Sequence, residues 1–232
     1  MMMSHALETK RIRFTILLVT IAVSLLAAGC GALVGPTAPA IQATYSTQVP
    51  QNFATPNASN KFYASTLTTG GGGWSTDPVC KFSSQGLTVA PASGQAYICL
   101  APTAPIADAG ISVTVRQLSG STNHAFGLVF RHSAPKSYYF FGVDGRGRYT
   151  LDVVVNDVSH TVVPFTVNPA IHSGVGTSNT LQVVIRGQQA TLIVNGTPVG
   201  QATLTTFASG TLGLRGINDG SILFTNLLVT RA

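Results

Sequence analysis

Residues 125–163 constrain the fold of this chain more than any other stretch. They read Ala125-Phe-Gly-Leu-Val-Phe-Arg131, then Ser137-Tyr-Tyr-Phe-Phe-Gly-Val143, then RYTLDVVVN from Arg148 to Asn156 and DVSHTVV from Asp157 to Val163. Each run is short, rich in Val, Tyr, Phe and Thr, and either apolar or alternating. Turn formers separate them: Ser133-Ala134-Pro135-Lys136, Asp144-Gly145-Arg146-Gly147 and Asn156-Asp157. Short β-branched and aromatic runs punctuated by such turns spell an antiparallel meander.

Further strands surround it. Phe62–Leu67, Cys80–Phe82, Leu87–Val89, Ala96–Leu100 and Ala109–Gln117 precede the meander. Asn179–Arg186, Gln189–Val194, Thr197–Leu204, Thr211–Arg215 and Ser221–Val229 follow it. Asn195-Gly196 is a strong hairpin turn, because both central positions favour positive φ. Asn218-Asp219-Gly220 is another tight turn. After Cys30 no stretch has the period of an amphipathic helix. About a dozen or more strands at near-regular spacing predict an all-β fold, a two-sheet antiparallel jelly-roll sandwich rather than a small barrel.

The N-terminus has a different character. Lys10-Arg-Ile-Arg13 is a positive segment, Phe14–Ala28 is apolar, and Ala28-Gly29-Cys30 ends the run on small residues and a cysteine. This resembles a bacterial lipoprotein signal: residues 1–29 as a signal helix, and Cys30 as the site of lipidation. The resemblance implies export and anchoring to a lipid bilayer, since two acyl chains hold a protein on a membrane stably. Residues 30–60, with Pro36, Pro39, Pro50 and Pro56 among Ala, Thr, Gln and Ser, read as a disordered tether. The domain then spans residues 61–232. Cys30 aside, only Cys80 and Cys99 remain. A structural Cys80–Cys99 disulfide fits export and closes a loop of about 20 residues. No further Cys or His stands at zinc-ligand spacing, and there is no Cys-x-x-Cys.

Charge excludes some functions. The formal net charge is +6, but three cations lie in the leader; after Cys30 there are ten Lys/Arg and six Asp, or +4 (10 − 6). The ten are scattered singly, with no basic patch for nucleic acid. The one glutamate is Glu8. Paired carboxylates for glycoside cleavage are therefore hard to find. Asp144, Asp157 and Asp219 sit in turns, where Asp has a backbone role. Asp152 is the one aspartate inside a strand. His124, His132, His160 and His172 form no metal-ligand spacing, and no Gly-x-Ser-x-Gly elbow is present. No cofactor is expected.

Strand parity gives the binding candidates. Phe126, Leu128 and Phe130 share one face, which should be core; Gly127, Val129 and Arg131 share the other. Tyr149, Leu151 and Val153 read as core, with Arg148, Thr150, Asp152 and Val154 facing out. Arg131, Arg148, Asp152 and one ring of the Tyr138–Phe141 run, with Tyr139 the candidate, would form a platform. Arginine and carboxylate would hydrogen-bond sugar hydroxyls while the ring stacks. A plain Arg131–Asp152 cross-strand pair with no ligand is the simpler reading of the same parity. Trp74 follows the glycine run Gly70–Gly73; it is either delivered to the core edge, the simpler reading, or presented as a sugar-stacking ring.

The order Gly127-Leu-Val-Phe-Arg131, Tyr138-Tyr-Phe-Phe141, Gly147-Arg-Tyr149-Thr-Leu151, Asn179-x-Leu181-x-Val183, Val194-Asn-Gly196, Gly213-Leu214 and Phe224-x-Asn226-Leu227 resembles the concanavalin A-like lectin/glucanase superfamily. It is most similar to laminin-G-like and 3-keto-disaccharide hydrolase-like domains. The resemblance covers residues 62–232. It implies a jelly roll of two curved sheets, with carbohydrate contact on the concave face. It also implies calcium in some relatives, for which Asp108 and Asp144 are the available carboxylates. The leading expectation is a non-catalytic, lipid-anchored module for glycans or other envelope polymers. The alternatives are a hydrolase of 3-keto-disaccharide type, and a structural or sensory envelope protein that binds another protein.

Overall fold

A computed structural model describes residues 45–46, 61–75, 77–92, 94–217 and 220–232. The leader, Cys30, the Asn218-Asp219 part of the last turn and most of the spacer lie outside the described residues. The described part is all-β, with fifteen strands: β1 (Tyr45–Ser46), β2 (Lys61–Ser65), β3 (Cys80–Ser83), β4 (Gly86–Val89), β5 (Ala96–Leu100), β6 (Ala109–Gln117), β7 (Phe126–Ala134), β8 (Ser137–Val143), β9 (Arg148–Val155), β10 (Val158–Val167), β11 (Ser178–Arg186), β12 (Gln189–Val194), β13 (Thr197–Thr203), β14 (Thr211–Ile217) and β15 (Ile222–Thr230).

They form two antiparallel sheets. The nine-stranded sheet runs β1-β13-β12-β11-β6-β15-β4-β3, with β2 also paired to β15. The six-stranded sheet runs β10-β9-β8-β7-β14-β5. The meander is present as β7 to β10, each strand beside the next. The pairing of β1 with Gln201 and Ala202 of β13 brings two spacer residues onto the sheet. Tyr45 and Ser46 are therefore paired to the sheet edge, while the rest of the expected tether lies outside the described residues.

The turns are those the residues dictate. Asn156 and Asp157 take φ 51° and 72°, and Asn195 and Gly196 take 51° and 77°. Both pairs are two-residue hairpins in which each central residue is left-handed. The exposed Lys136 Nζ, in the turn between β7 and β8, reaches Asp157 Oδ2 of the first of them at 2.6 Å.

Alternation fills the space between the sheets. Phe126, Leu128 and Phe130 of β7, and Tyr149, Leu151 and Val153 of β9, meet Val113 and Val115 of β6, Leu181 and Val183 of β11, and Phe224 of β15 in one core. Three ties cross that core. The Cys80–Cys99 disulfide joins β3 to β5, with Cα atoms 5.9 Å apart. The Tyr149 hydroxyl donates to the Val199 carbonyl at 2.6 Å, joining β9 to β13. The third is Arg131, described below.

Trp74 is 5% exposed and belongs to this core. Its Nε1–H donates to the Tyr63 hydroxyl at 2.9 Å, and its ring meets Phe82 edge-on at 5.6 Å. Its indole is covered, so it offers no stacking surface to a ligand. The glycine run delivers it to the core edge: Gly73 has φ 96°, and a side chain there would press on Pro102.

The disulfide joins two buried positions separated by 19 in the sequence. On chain entropy it stabilises the fold by about 3 kcal/mol. The double variant Cys80→Ala/Cys99→Ala should lose about that much in equilibrium urea unfolding. A loss well under 1 kcal/mol would show that the tie is dispensable.

Candidate functional site

The outer face of the six-stranded sheet carries the groups with the most to explain. Every residue of β8 is buried, on both of its faces. Tyr139, Phe141 and Val143 point into the core, while Tyr138 and Phe140 point the other way. There they pack with Ala125, Val129, Val154 and Ile98 in a second, outer apolar cluster. A small hydrophobic floor thus lies on the side of the sheet away from the core.

Arg215 of β14 lies over this floor. Leu212 and Leu214 alternate into the core and so turn Arg215 outward. Its register partner on β7 is Gly127, whose own partner on β8 is Gly142. Gly142 keeps that row low on the outer face. Its Cζ sits 4.4 Å from the centroid of Phe140 and 5.8 Å from that of Tyr138. Gly142 also makes room for Phe140, since a Cβ at position 142 would fall 2.5 Å from the ring.

Asp152 stands on the far side of Phe140. The register runs Val129, Phe140, Asp152, Thr161 across β7, β8, β9 and β10. No ion pair joins Arg215 to Asp152; the two found among the described residues are Lys136–Asp157 and Arg148–Asp144. Cation, ring and carboxylate therefore form a band, with the charges held apart by the ring. Burial pushes the Asp152 carboxyl up, against the Thr161 hydroxyl and the Arg215 charge, which pull it down. Burial also lowers Arg215, against the pull of Tyr138 and Asp152. Among the described residues the buried Arg215 Nε–H has no hydrogen-bond partner. His132 adjoins the band, stacked on Tyr138 with centroids 6.0 Å apart, and burial holds its imidazole below the usual histidine range.

The residues picked from sequence parity fare differently. Asp152 faces outward beside an aromatic ring, but that ring is Phe140. Tyr139 lies on the core side. It stacks on Phe130 at 5.5 Å, and its hydroxyl accepts the Thr206 N–H at 2.8 Å.

Arg131 is also elsewhere. A bulge interrupts the register between Phe130 and Ala134 on one side and between Thr211 and Gly213 on the other. Arg131 takes φ 48° there. The extra residue reverses the parity, so its side chain turns to the end of the sandwich. It is 2% exposed. Nη1 donates to the Phe207 carbonyl at 2.8 Å; Nη2 donates to those of Ala107 at 3.1 Å and Gly187 at 2.6 Å. One guanidinium thus ties three segments, and no Arg131–Asp152 pair exists. Past the bulge, His132 takes the outward place.

Arg148 has the expected parity at the other end of β9. Its guanidinium is held by Asp144 Oδ2, from Nε at 2.8 Å and from Nη2 at 2.5 Å, and covers the Phe165 ring at 4.4 Å. The other Asp144 oxygen accepts the N–H groups of Arg146 and Arg148. Asp144 is thus a turn lock with both oxygens occupied. Asp108 Oδ1 accepts the Gly187 N–H at 2.9 Å. Among the described residues no three His, Cys, Asp or Glu gather as metal ligands.

No protein-family model matches this chain, and no curated protein matches it in sequence. Solved structures do match. One is carbohydrate-binding module CBM66 from Bacillus subtilis, with a TM-score of 0.55 at 17% identity, covering 74% of this chain and 97% of that one. A Bacillus subtilis protein of unknown function with a galectin-like fold gives a TM-score of 0.58 at 9% identity, covering 74% and 96%. The apo Crh5 transglycosylase gives 0.51 at 15% identity, covering 75% and 87%. At these identities the likeness defines the fold alone: a two-sheet antiparallel jelly-roll sandwich.

Two outcomes test this geometry. Arg131→Met should destabilise the domain by about 3 kcal/mol or more in urea unfolding, because three carbonyls lose a charged donor. For Asp152 the sign follows from its raised native value. Below about pH 4 the carboxyl is protonated in both folded and unfolded chains. As pH rises through the raised native value, the folded state must ionise a half-buried acid, and stability falls. Asp152→Asn should therefore gain melting temperature relative to the parent as pH rises from 4 to 7. A constant difference across that range would refute the assignment.

Proposed function

We propose that this chain is an exported, lipid-anchored binding module that holds a glycan or a related envelope polymer without cleaving it. The observation that carries the reading is the Arg215–Phe140–Asp152 band. Two charges are kept in a partly dry setting, on one face, without contact between them. Burying charge opposes folding, and groups so placed are disproportionately functional. A polyhydroxylated ligand can accept from Arg215, donate to Asp152 and lie across Tyr138 and Phe140 between them.

Three further observations support the reading. One of the solved structures sharing the fold is a carbohydrate-binding module. The sequence beyond Glu8 has no glutamate, and Asp157, the carboxylate at the nearby turn, is engaged by Lys136. The Ala28-Gly29-Cys30 ending of the apolar leader matches a lipidation signal, which would place the sandwich outside the cytoplasmic membrane.

Affinity measurements over a panel of soluble polysaccharides test the binding face. Arg215→Ala and Asp152→Asn should each weaken the retained glycan about tenfold or more, the usual effect of losing a charged hydrogen bond. Binding untouched by both variants would discard the site. Hydrolysis of any panel member that vanishes in Asp152→Asn would replace binding with catalysis. Mass spectrometry of the membrane fraction should find Cys30 acylated, and Cys30→Ser should release the protein from membranes.

A further inference from the structure

The other outer face, that of the nine-stranded sheet, has a different chemistry. A groove of about 390 Å³ lies across its central strands, lined by Gln85, Thr114, Arg116, Ser178, Leu223 and Thr225. Core alternation dictates its composition. Val113 and Val115 of β6, Leu181 of β11 and Phe224 of β15 point inward, so their neighbours point out. The register places Leu223, Arg116 and Ser178 in one row across β15, β6 and β11. The next row is Thr225, Thr114 and Thr180, and the Thr114 and Thr180 hydroxyls lie 3.2 Å apart. The Thr114 and Thr180 hydroxyls thus share one hydrogen bond, and Thr225 extends the row on β15. Gly86 of β4 keeps the flank of the groove low: a Cβ there would fall against the Phe224 carbonyl and the Thr225 methyl.

The charges on this face are of one sign. Parity turns Lys81 outward between the inward Cys80 and Phe82, and Arg116 outward beyond Val115. Among the described residues Arg116 has no ion-pair partner. The described aspartates lie elsewhere: Asp152 on the opposite outer face, and Asp77, Asp108, Asp144 and Asp157 in loops and turns. Hydroxyls, an amide and a guanidinium with no carboxylate among them present an excess of donors. We propose that this groove is a second binding face, for an anionic, hydroxyl-rich polymer whose acid group meets Arg116 while its hydroxyls follow the threonine row. Uronate and phosphodiester chains share that chemistry. The proposal does not depend on the Arg215 face.

Titration of the full-length protein with polygalacturonate, poly(glycerol phosphate) and neutral dextran tests it. One or both anionic polymers should bind saturably, and which of them binds identifies the acid. Arg116→Gln should weaken that binding about tenfold. Lys136→Gln removes one cation elsewhere and should leave it unchanged. Four results would overturn the proposal: no saturable binding to either anion, equal affinity for dextran, an equal loss in Lys136→Gln, or binding to phosphatidylglycerol vesicles with none to the polymers.

Discussion

The fold rests on burying one face of each sheet against the other while the sheets stay locked against sliding. Hydrophobic contact alone is non-directional and leaves sliding cheap. The three ties remove that freedom at separated places. The disulfide fixes β3 over β5, the Tyr149 hydroxyl fixes β9 over β13, and Arg131 fixes the end of β7 to the turn after β11 and to two flanking loops. Each is made by a residue whose polar or covalent need cannot be met within its own sheet. The apolar core supplies the driving force and the ties supply the register.

Most of the architecture was legible because its determinants are local. The left-handed residues of Asn156-Asp157 and Asn195-Gly196 mark hairpins wherever they occur, and period-two alternation in β6, β9 and β11 names its own core face. The site was less legible because its determinants are not local. Arg131 read as outward because alternation was carried one residue too far. The bulge that reverses it involves pairing with both β8 and β14, which residues 126–134 alone do not reveal. Tyr139 and Tyr138 are adjacent tyrosines in a run with no polar residue to set the phase. Only their partners on β7 and β9 decide which one faces out.

Arg215 shows the same limit from the other side. Its local signal was available: one cation in a strand where Leu212 and Leu214 alternate. Its meaning came from topology, since β14 inserts beside β7 about 80 residues away in the chain and sets the guanidinium over Phe140. Gly142 looks like a weak point in an apolar strand until the Phe140 ring it makes room for, and the cation over that ring, are known.

The chain uses few charges, and where each goes separates structure from function. Asp144 locks a turn and anchors Arg148, Asp157 pairs with Lys136 over a hairpin, Asp108 caps the Gly187 N–H, and Arg131 ties loops. Those charges are accounted for by the backbone or by a contact partner. Arg215 and Asp152 on one outer face, and Arg116 on the other, have no ion-pair partner among the described residues. A sandwich commits every second residue of its strands to the core and leaves the intervening ones to meet whatever the protein meets. Here the intervening residues divide into a mixed-charge aromatic band on the six-stranded sheet and a donor-rich groove on the nine-stranded one.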